Sequence, residues 1–388
     1  MTKIKEKFLL HPDIHYLNHG SFGACPKPVF EAYQRFQTML ETEPLQFMVK
    51  TGVELLYVSK KALAEYVNCD MQDLVYVTNP TTAMNIVIKN LNLDPGDEVL
   101  STDHEYGACD RTWRYYCRKA GAKYIQQHIS TPIKSKEDFL KEFWSGYTPK
   151  TKIVFISHIT SPTALIFPVK EICEKAKELG LITVIDGAHV PAHIPLDLSD
   201  LKVDFYTGAC HKWLCSPKGS TFLYATKEMQ DSLDPLIISW GYEADNPSES
   251  QFQDYHQYQG TRDFSAFLTT PACIKFQKEN NWEVEKEKCR NQLKHYYPII
   301  ANELNSNVIC PITDEFLGQI CSIPVNTTDP VALKELLYDK YQIEIPVFNN
   351  VGPINYLRIS FMPYNDESEM DILINTLRDI KANTNLIE

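Results

Sequence analysis

The chain has 388 residues, 44 % of them apolar and 11 % aromatic, which is enough for one large domain with a smaller one attached. Its formal net charge is −12 and its basic residues form no long run, which argues against nucleic acid or an anionic membrane as a main partner. No apolar run reaches bilayer length, no signal-type stretch follows Lys7, and the eleven cysteines contain no C-x-x-C, so a cytosolic protein without a disulfide framework is expected.

Residues 1–15 read as a short helical or irregular lead. Tyr16-Leu17-Asn18-His19-Gly20-Ser21-Phe22-Gly23-Ala24 is a compact polar turn. Its glycines mark either a loop or a backbone that approaches a ligand closely. Helices are predicted over 28–40, opened by a proline, and over 52–66. The β-type run 74–77 ends in Thr78-Asn79-Pro80-Thr81-Thr82, and an apolar helix continues to about 91. Free first-turn N–H groups there suit a phosphate, although plain capping by Asn79 or Thr81 accounts for the composition equally well. Strand 97–102 leads to Asp103-His104-Glu105-Tyr106, where His104 or Tyr106 offers a flat face to a cofactor ring. A helix is predicted over 111–120.

Lys152–Ser157 is the near-continuous apolar run of a strand buried on both faces. His158-Ile159-Thr160-Ser161-Pro162-Thr163 follows, then a helix over 169–179 and a strand over 182–185 that ends at Asp186. Strands over 203–206 and 220–225 bracket Ala209-Cys210-His211-Lys212-Trp213-Leu214. Taken alone, Lys212 reads as a surface lysine after a buried strand. Yet residues 79–82, 104–106, 158–161, 186–189 and 211–212 all follow strands, and the ligand site of an α/β sheet lies beyond its strand C-termini. That convergence points to a pyridoxal phosphate (PLP) site, with Lys212 as the Schiff-base lysine and Asp186 paired with the pyridinium nitrogen.

After Ala225 the pattern changes. A polar stretch, 243–256, has little strand or helix signal, and Gly260-Thr261-Arg262-Asp263 follows. A mostly helical segment over 270–305, strands near 317–324, a helix over 330–340, an apolar-proline run over 343–348, Leu357-Arg358-Ile359-Ser360 and a closing helix over 367–382 make a smaller α+β unit. The expected division is a PLP-binding domain over 16–265 and a small domain over 266–388, with residues 1–15 packing on the latter. His11/His15 and His189/His193 each enclose a proline that disfavours the helix needed to align them, so no metal site is expected.

These ordered motifs resemble the class V aminotransferase family of fold-type I PLP enzymes, most of all isopenicillin N epimerases and ergothioneine-pathway C–S lyases. The resemblance implies a large domain with a mixed, mainly parallel sheet flanked by helices, plus a smaller C-terminal α+β domain. It implies that His189 meets the ring's phenolic oxygen and that Thr81, Thr82 and His211 hold the phosphate, with Ser161 also at the cofactor. Asn18, His19 and Arg358 would bind substrate, Arg358 gripping its α-carboxylate. Thr261 would reach a neighbouring subunit's phosphate, which makes the protein a homodimer acting on a small amino acid. Ala209 stands where relatives often carry Ser or Asn, which puts one cofactor contact in doubt.

The implied chemistry is removal of the Cα proton of an L-amino acid or cysteine-derived substrate. Lys212 moves that proton, and Tyr106 is the candidate donor on the opposite face or else only a stacking partner. Epimerisation or C–S lysis would follow. Transamination and cysteine desulfuration are the alternatives within the family, and a non-catalytic PLP-binding protein is the alternative outside it. Residues 325–357 contain no cysteine and Cys321 lies in a strand-like run, which disfavours a persulfide-forming desulfurase.

Overall fold

The computed structural model describes residues 4–388, with backbone alone at 349–351. Twelve strands occur among these residues: β1 (His15–Tyr16), β2 (Leu74–Val77), β3 (Glu98–Thr102), β4 (Lys123–Gln127), β5 (Thr151–Ser157), β6 (Ile182–Asp186), β7 (Phe205–Ala209), β8 (Thr221–Ala225), β9 (Ile320–Val325), β10 (Ile343–Glu344), β11 (Val347–Val351) and β12 (Ile354–Ser360). Seven of them form the central sheet, in the order β2-β8-β7-β6-β5-β3-β4. Only β8 runs against its neighbours there, pairing antiparallel with both β2 and β7. The other six therefore point one way, and the loops after β2, β3, β5, β6 and β7 collect along a single edge.

Apolar runs explain the central strands. Ile153, Val154, Phe155 and Ile156 of β5 are all buried, as are Val184 and Ile185 of β6, because helices cover both faces of the sheet. The helix Val169–Glu178 buries Val169, Ile172, Cys173 and Ala176, one face at i, i+3, i+4, i+7. The helix Gly107–Ala120 buries Cys109, Trp113 and Cys117 and stops at Gly121, whose φ of 74° suits the left-handed position after a helix.

A second sheet, β11-β12-β9, belongs to the C-terminal part of the chain. β12 pairs antiparallel with β9, setting Arg358 opposite Ser322. The N-terminal segment crosses to it: β1 pairs parallel with β10, Ser360 N–H donates to Leu17 O (2.8 Å), and Gly20 N–H donates to Ser360 Oγ (3.0 Å). Residues 16–22 thus lie against the strand that carries Arg358.

Three elements depart from the sequence expectations. β4 is an edge strand whose residues are exposed or half-buried, so it lacks the apolar run that marks its neighbours. The helix Lys136–Trp144 buries only Phe139 and Phe143, on one narrow stripe, capped by Ser135. Within the stretch read as poor in structure, Gln251–Gln257 is helical. It is anchored by tertiary contacts, Gln253 Nε2 donating to Leu74 O (2.8 Å) and Gln72 O (3.0 Å). Among the described residues no helix is long and apolar enough to cross a membrane.

Candidate active site

The lysine loop leaves the end of β7. Cys210 N–H and His211 N–H both donate to Ser220 O (3.1 Å each), pinning the turn to the base of β8. Gly23 lies directly over it with φ +70°, and a Cβ there would sit 2.3 Å from His211 O and 3.0 Å from Lys212 Cα. That glycine permits a close approach of two backbones. His19 Nε2 meets Lys212 O at 3.0 Å, so the N-terminal turn also holds the backbone of the lysine.

Lys212 Nζ lies 2.9 Å from His189 Nε2. Burial, reinforced by the nearby Arg358 cation, pushes the amine down to about 7, while Asp186 and Cys109 pull the other way. His189 is buried and held well below the usual histidine range by desolvation, with Lys212 and Arg358 adding to the effect. Asp186 closes β6, and its Oδ1 accepts from Ala188 N–H at 2.9 Å. The thiol of Cys109 reaches its Oδ2 at 3.5 Å. Burial raises the carboxyl of Asp186, against that backbone donor and the Lys212 charge. Gly187 follows because a Cβ there would strike the Tyr206 ring at 2.1 Å.

Arg358 is 1 % exposed. Nη1 donates to Ser161 O (2.6 Å) and Ser161 Oγ (3.3 Å), and Nη2 to Ser21 Oγ (2.8 Å). The guanidinium also lies 4.6 Å from the centroid of the Phe348 ring. Its buried Nε has no hydrogen-bond partner, and no carboxylate among the described residues forms a salt bridge with it. A desolvated cation with neutral partners only is costly, and an incoming carboxylate would relieve that cost.

The remaining predicted residues distribute unevenly. Thr82 N–H donates to Asn79 Oδ1 (2.9 Å), so Asn79 caps the helix Pro80–Asn90, and Thr81 and Thr82 stand half-buried in its first turn. His211 Nδ1 faces Ser220 O at 2.8 Å, which leaves Nε2 as its open nitrogen. Tyr106, 47 % exposed, caps the helix Gly107–Ala120. His104 is enclosed instead: Nδ1 meets Thr163 Oγ1 (2.9 Å), Nε2 meets Ile129 O (3.0 Å), and the ring packs edge-on to Phe167. Of the two aromatics considered for the cofactor ring, Tyr106 alone retains an open face. Ser161 serves Arg358, and the Nδ1 of His19 is occupied by Tyr364 Oη (2.9 Å) as well as Ala24 N–H (3.2 Å). Asn18 is buried and accepts from Ser21 Oγ, so it orients the serine that touches Arg358. Thr261 is exposed on the wall of a separate cavity of about 550 Å³.

Sequence reasoning left Ser21, Cys109, Glu105 and Trp213 without roles. Each sits within or beside a motif, but only the fold shows what its side chain meets. Glu105 is buried under the edge, accepting from Thr102 Oγ1 (2.7 Å) and Ser157 N–H (2.9 Å), and burial pushes it up to about 8 against those donors. Cys321, on β9 opposite Ile359, is buried with its thiol held well above the usual range by desolvation.

The profile of the family Aminotransferase class-V matches residues 15–373. The chain belongs to the class-V aminotransferase family. The match extends to an isopenicillin N epimerase from Streptomyces clavuligerus, 31 % identical with 96 % of each chain covered. It extends also to a hercynylcysteine sulfoxide lyase from Schizosaccharomyces pombe, 23 % identical with 97 % of each covered. Among solved structures, the cystine C–S lyase C-DES in complex with cysteine persulfide superposes with a TM-score of 0.82 at 22 % identity, over 95 % of this chain and 98 % of that one. The apo cysteine desulfurase of Thermococcus onnurineus gives 0.81 at 18 % identity, with 98 % of each covered. This class-V chain is accordingly an enzyme of a PLP-dependent family. Its residues fit that cofactor: a buried acid ends β6, a lysine with a depressed pKa follows β7 at the same edge, and Arg358 Nε is a buried donor with no partner among the described residues.

Proposed function

We propose that this class-V enzyme removes the Cα proton of an L-amino acid and then either reprotonates Cα on the other face or expels a sulfur group from Cβ. The observation that carries this is Arg358, a buried guanidinium without a carboxylate partner, on the same edge as the depressed amine of Lys212. A protein that merely bound cofactor would have no use for that pairing of carboxylate clamp and base.

PLP bound at Lys212 supplies an electron sink for the carbanion left at Cα. Asp186 holds a proton on the ring nitrogen, its charge supported by Ala188 N–H. His189 Nε2 donates to the ring's phenolic oxygen. Thr81, Thr82 and His211 hold the phosphate. In its neutral form His211 Nε2 only accepts, since Nδ1 faces Ser220 O; it would donate to the phosphate once protonated, which the phosphate's charge would favour against the burial that holds the ring down to about 4. Arg358 fixes the substrate carboxylate through two parallel N–H donors and thereby sets which Cα bond faces Lys212. Lys212, an amine near neutrality, takes the Cα proton. Tyr106, with its open face, is the donor for the opposite side. Cys321, buried and protonated, weighs against persulfide formation.

The same reading makes the protein a homodimer. Thr261 borders the 550 Å³ cavity together with Val49, Tyr57, Trp240 and Tyr258, an apolar rim that a second copy would cover. Residues 266–388 act as the small domain that brings Arg358 to the large one. Eleven unpaired cysteines fit a reducing, cytosolic setting.

Incubation in D₂O with a panel of amino acids, cysteine conjugates and their sulfoxides tests the proposal. Pyruvate with a released sulfur species means C–S lysis, and Cα deuterium with inverted configuration means epimerisation. A Lys212→Ala protein that exchanged Cα protons as fast as wild type would remove Lys212 from the mechanism.

A further inference from the structure

Three buried histidines surround the Lys212–Trp213 dipeptide, and each has its tautomer set by an obligatory donor. Ala24 N–H donates to His19 Nδ1 (3.2 Å), leaving the His19 proton on Nε2, which faces Lys212 O. Gln319 N–H donates to His193 Nε2 (2.7 Å), leaving the His193 proton on Nδ1, which faces His189 O at 2.9 Å. For His189 the donor is a side chain: the indole N–H of Trp213 lies 3.3 Å from Nδ1. An indole nitrogen donates and never accepts. That contact puts the His189 proton on Nε2, the atom 2.9 Å from Lys212 Nζ.

A neutral imidazole presenting Nε2–H needs an acceptor opposite it. The ammonium form of lysine has three donors and no acceptor, whereas the free amine offers a lone pair. We propose that Trp213 is a positioning residue: its indole N–H locks His189 in the Nε2–H tautomer, and His189 in turn favours the uncharged amine of Lys212. The inference rests on the reading of Lys212 as the reacting amine and of His189 as the cofactor-contacting residue beside it. The indole is held for the task. It is fully buried, stacked on His193 with ring centroids 3.8 Å apart and planes 18° from parallel, and flanked by His19 at 5.2 Å. The other charged or titratable groups that act on Lys212 are Arg358 on the cationic side and Asp186 and Cys109 on the acidic side, and none of them contacts His189 Nδ1.

The test uses the protein freed of cofactor, with ¹⁵N-labelled histidine, comparing wild type with W213F. A second variant replaces Trp213 by its benzothiophene isostere, which fills the same volume without an N–H and serves if phenylalanine disturbs the packing. Wild type should show His189 Nδ1 as an unprotonated nitrogen and Nε2 as a protonated one. In the variants both resonances should move toward the tautomer average. The Lys212 pKa, read from the pH dependence of its trinitrophenylation, should rise by about one unit, because His189 Nε2 can then accept from an ammonium. A wild-type His189 protonated on Nδ1 would overturn the proposal, as would variants with unchanged resonances and an unmoved lysine. Neither readout requires PLP. Failure of PLP to attach at Lys212 would therefore sink the proposed function while leaving the tautomer result standing, and the reverse outcome would sink only the role of Trp213.

Discussion

Replacing Lys212 by methionine should stabilise the cofactor-free protein at neutral and acid pH, although it destroys the reacting group. An unfolded lysine keeps its proton to about 10.5, whereas the folded Lys212 surrenders it at about 7. Between those values the unfolded chain binds more protons, so the Lys212 contribution to stability rises with pH across that window. Below pH 7 both states carry the charge and the whole penalty of burying it is present. The step from 10.5 to about 7 corresponds to about 5 kcal/mol at about 1.4 kcal/mol per pKa unit. Methionine has a similar length and changes packing by less than about 1.5 kcal/mol, and the lost contact with His189 costs about 1 kcal/mol. Lys212→Met should then be more stable than wild type by about 2.5 kcal/mol at pH 6, with the advantage vanishing near pH 9, where the remaining charge penalty only matches those two losses. Urea unfolding of both proteins at pH 6, 7.5 and 9, at one protein concentration, measures the difference. A variant less stable than wild type at pH 6, or a gap that does not narrow as the pH rises, would refute the account of Lys212 as a half-buried, disfavoured cation.

Arg358→Met should lower kcat/KM for carboxylate substrates by about 100-fold or more, the loss of about 3 kcal/mol expected when one partner of a buried ion pair is removed. The same change should leave the free protein no less stable, because the guanidinium has no carboxylate partner there; urea unfolding without substrate reads that half. Asp186→Asn should keep the fold but lose the proton on the ring nitrogen, seen as an altered visible absorbance of bound PLP with activity down at least about 100-fold. Trp240, 85 % exposed beside Thr261, should be an anchor of the dimer: Trp240→Glu should weaken self-association by about 30-fold or more in light scattering at graded concentrations.

Much of the fold was legible because its strands carry their burial in their composition. β2 lies at the predicted residues 74–77, and β5 falls within one residue of the predicted run, because strands covered on both faces must be apolar throughout. β4 escaped for the complementary reason. At the sheet edge, Lys123 and Gln126 are exposed, and nothing in Lys-Tyr-Ile-Gln-Gln separates it from a loop. The helix Gln251–Gln257 depends on a buried Gln253 that bonds to three backbone carbonyls preceding and within β2. Such long-range anchoring leaves no local periodicity to read.

The site divides along the same line. Lys212 and Asp186 could be placed at one edge from sequence because Asp186 ends β6 and Lys212 follows β7, parallel neighbours whose shared direction delivers both there. Arg358 reaches that edge on a different sheet, and its partners come from two further segments: Ser21 from the N-terminal turn and Ser161 from the loop after β5. No spacing along the chain encodes that meeting. Tautomers are further still from the sequence. Trp213 adjoins Lys212, yet what it does depends on where its ring points, and that is fixed by the stack on His193, whose own nitrogens are tied by Gln319 and His189. A lysine beside a tryptophan is a composition. The same pair, with the indole N–H turned onto the buried histidine that faces the amine, sets a protonation state, because the indole donates and never accepts.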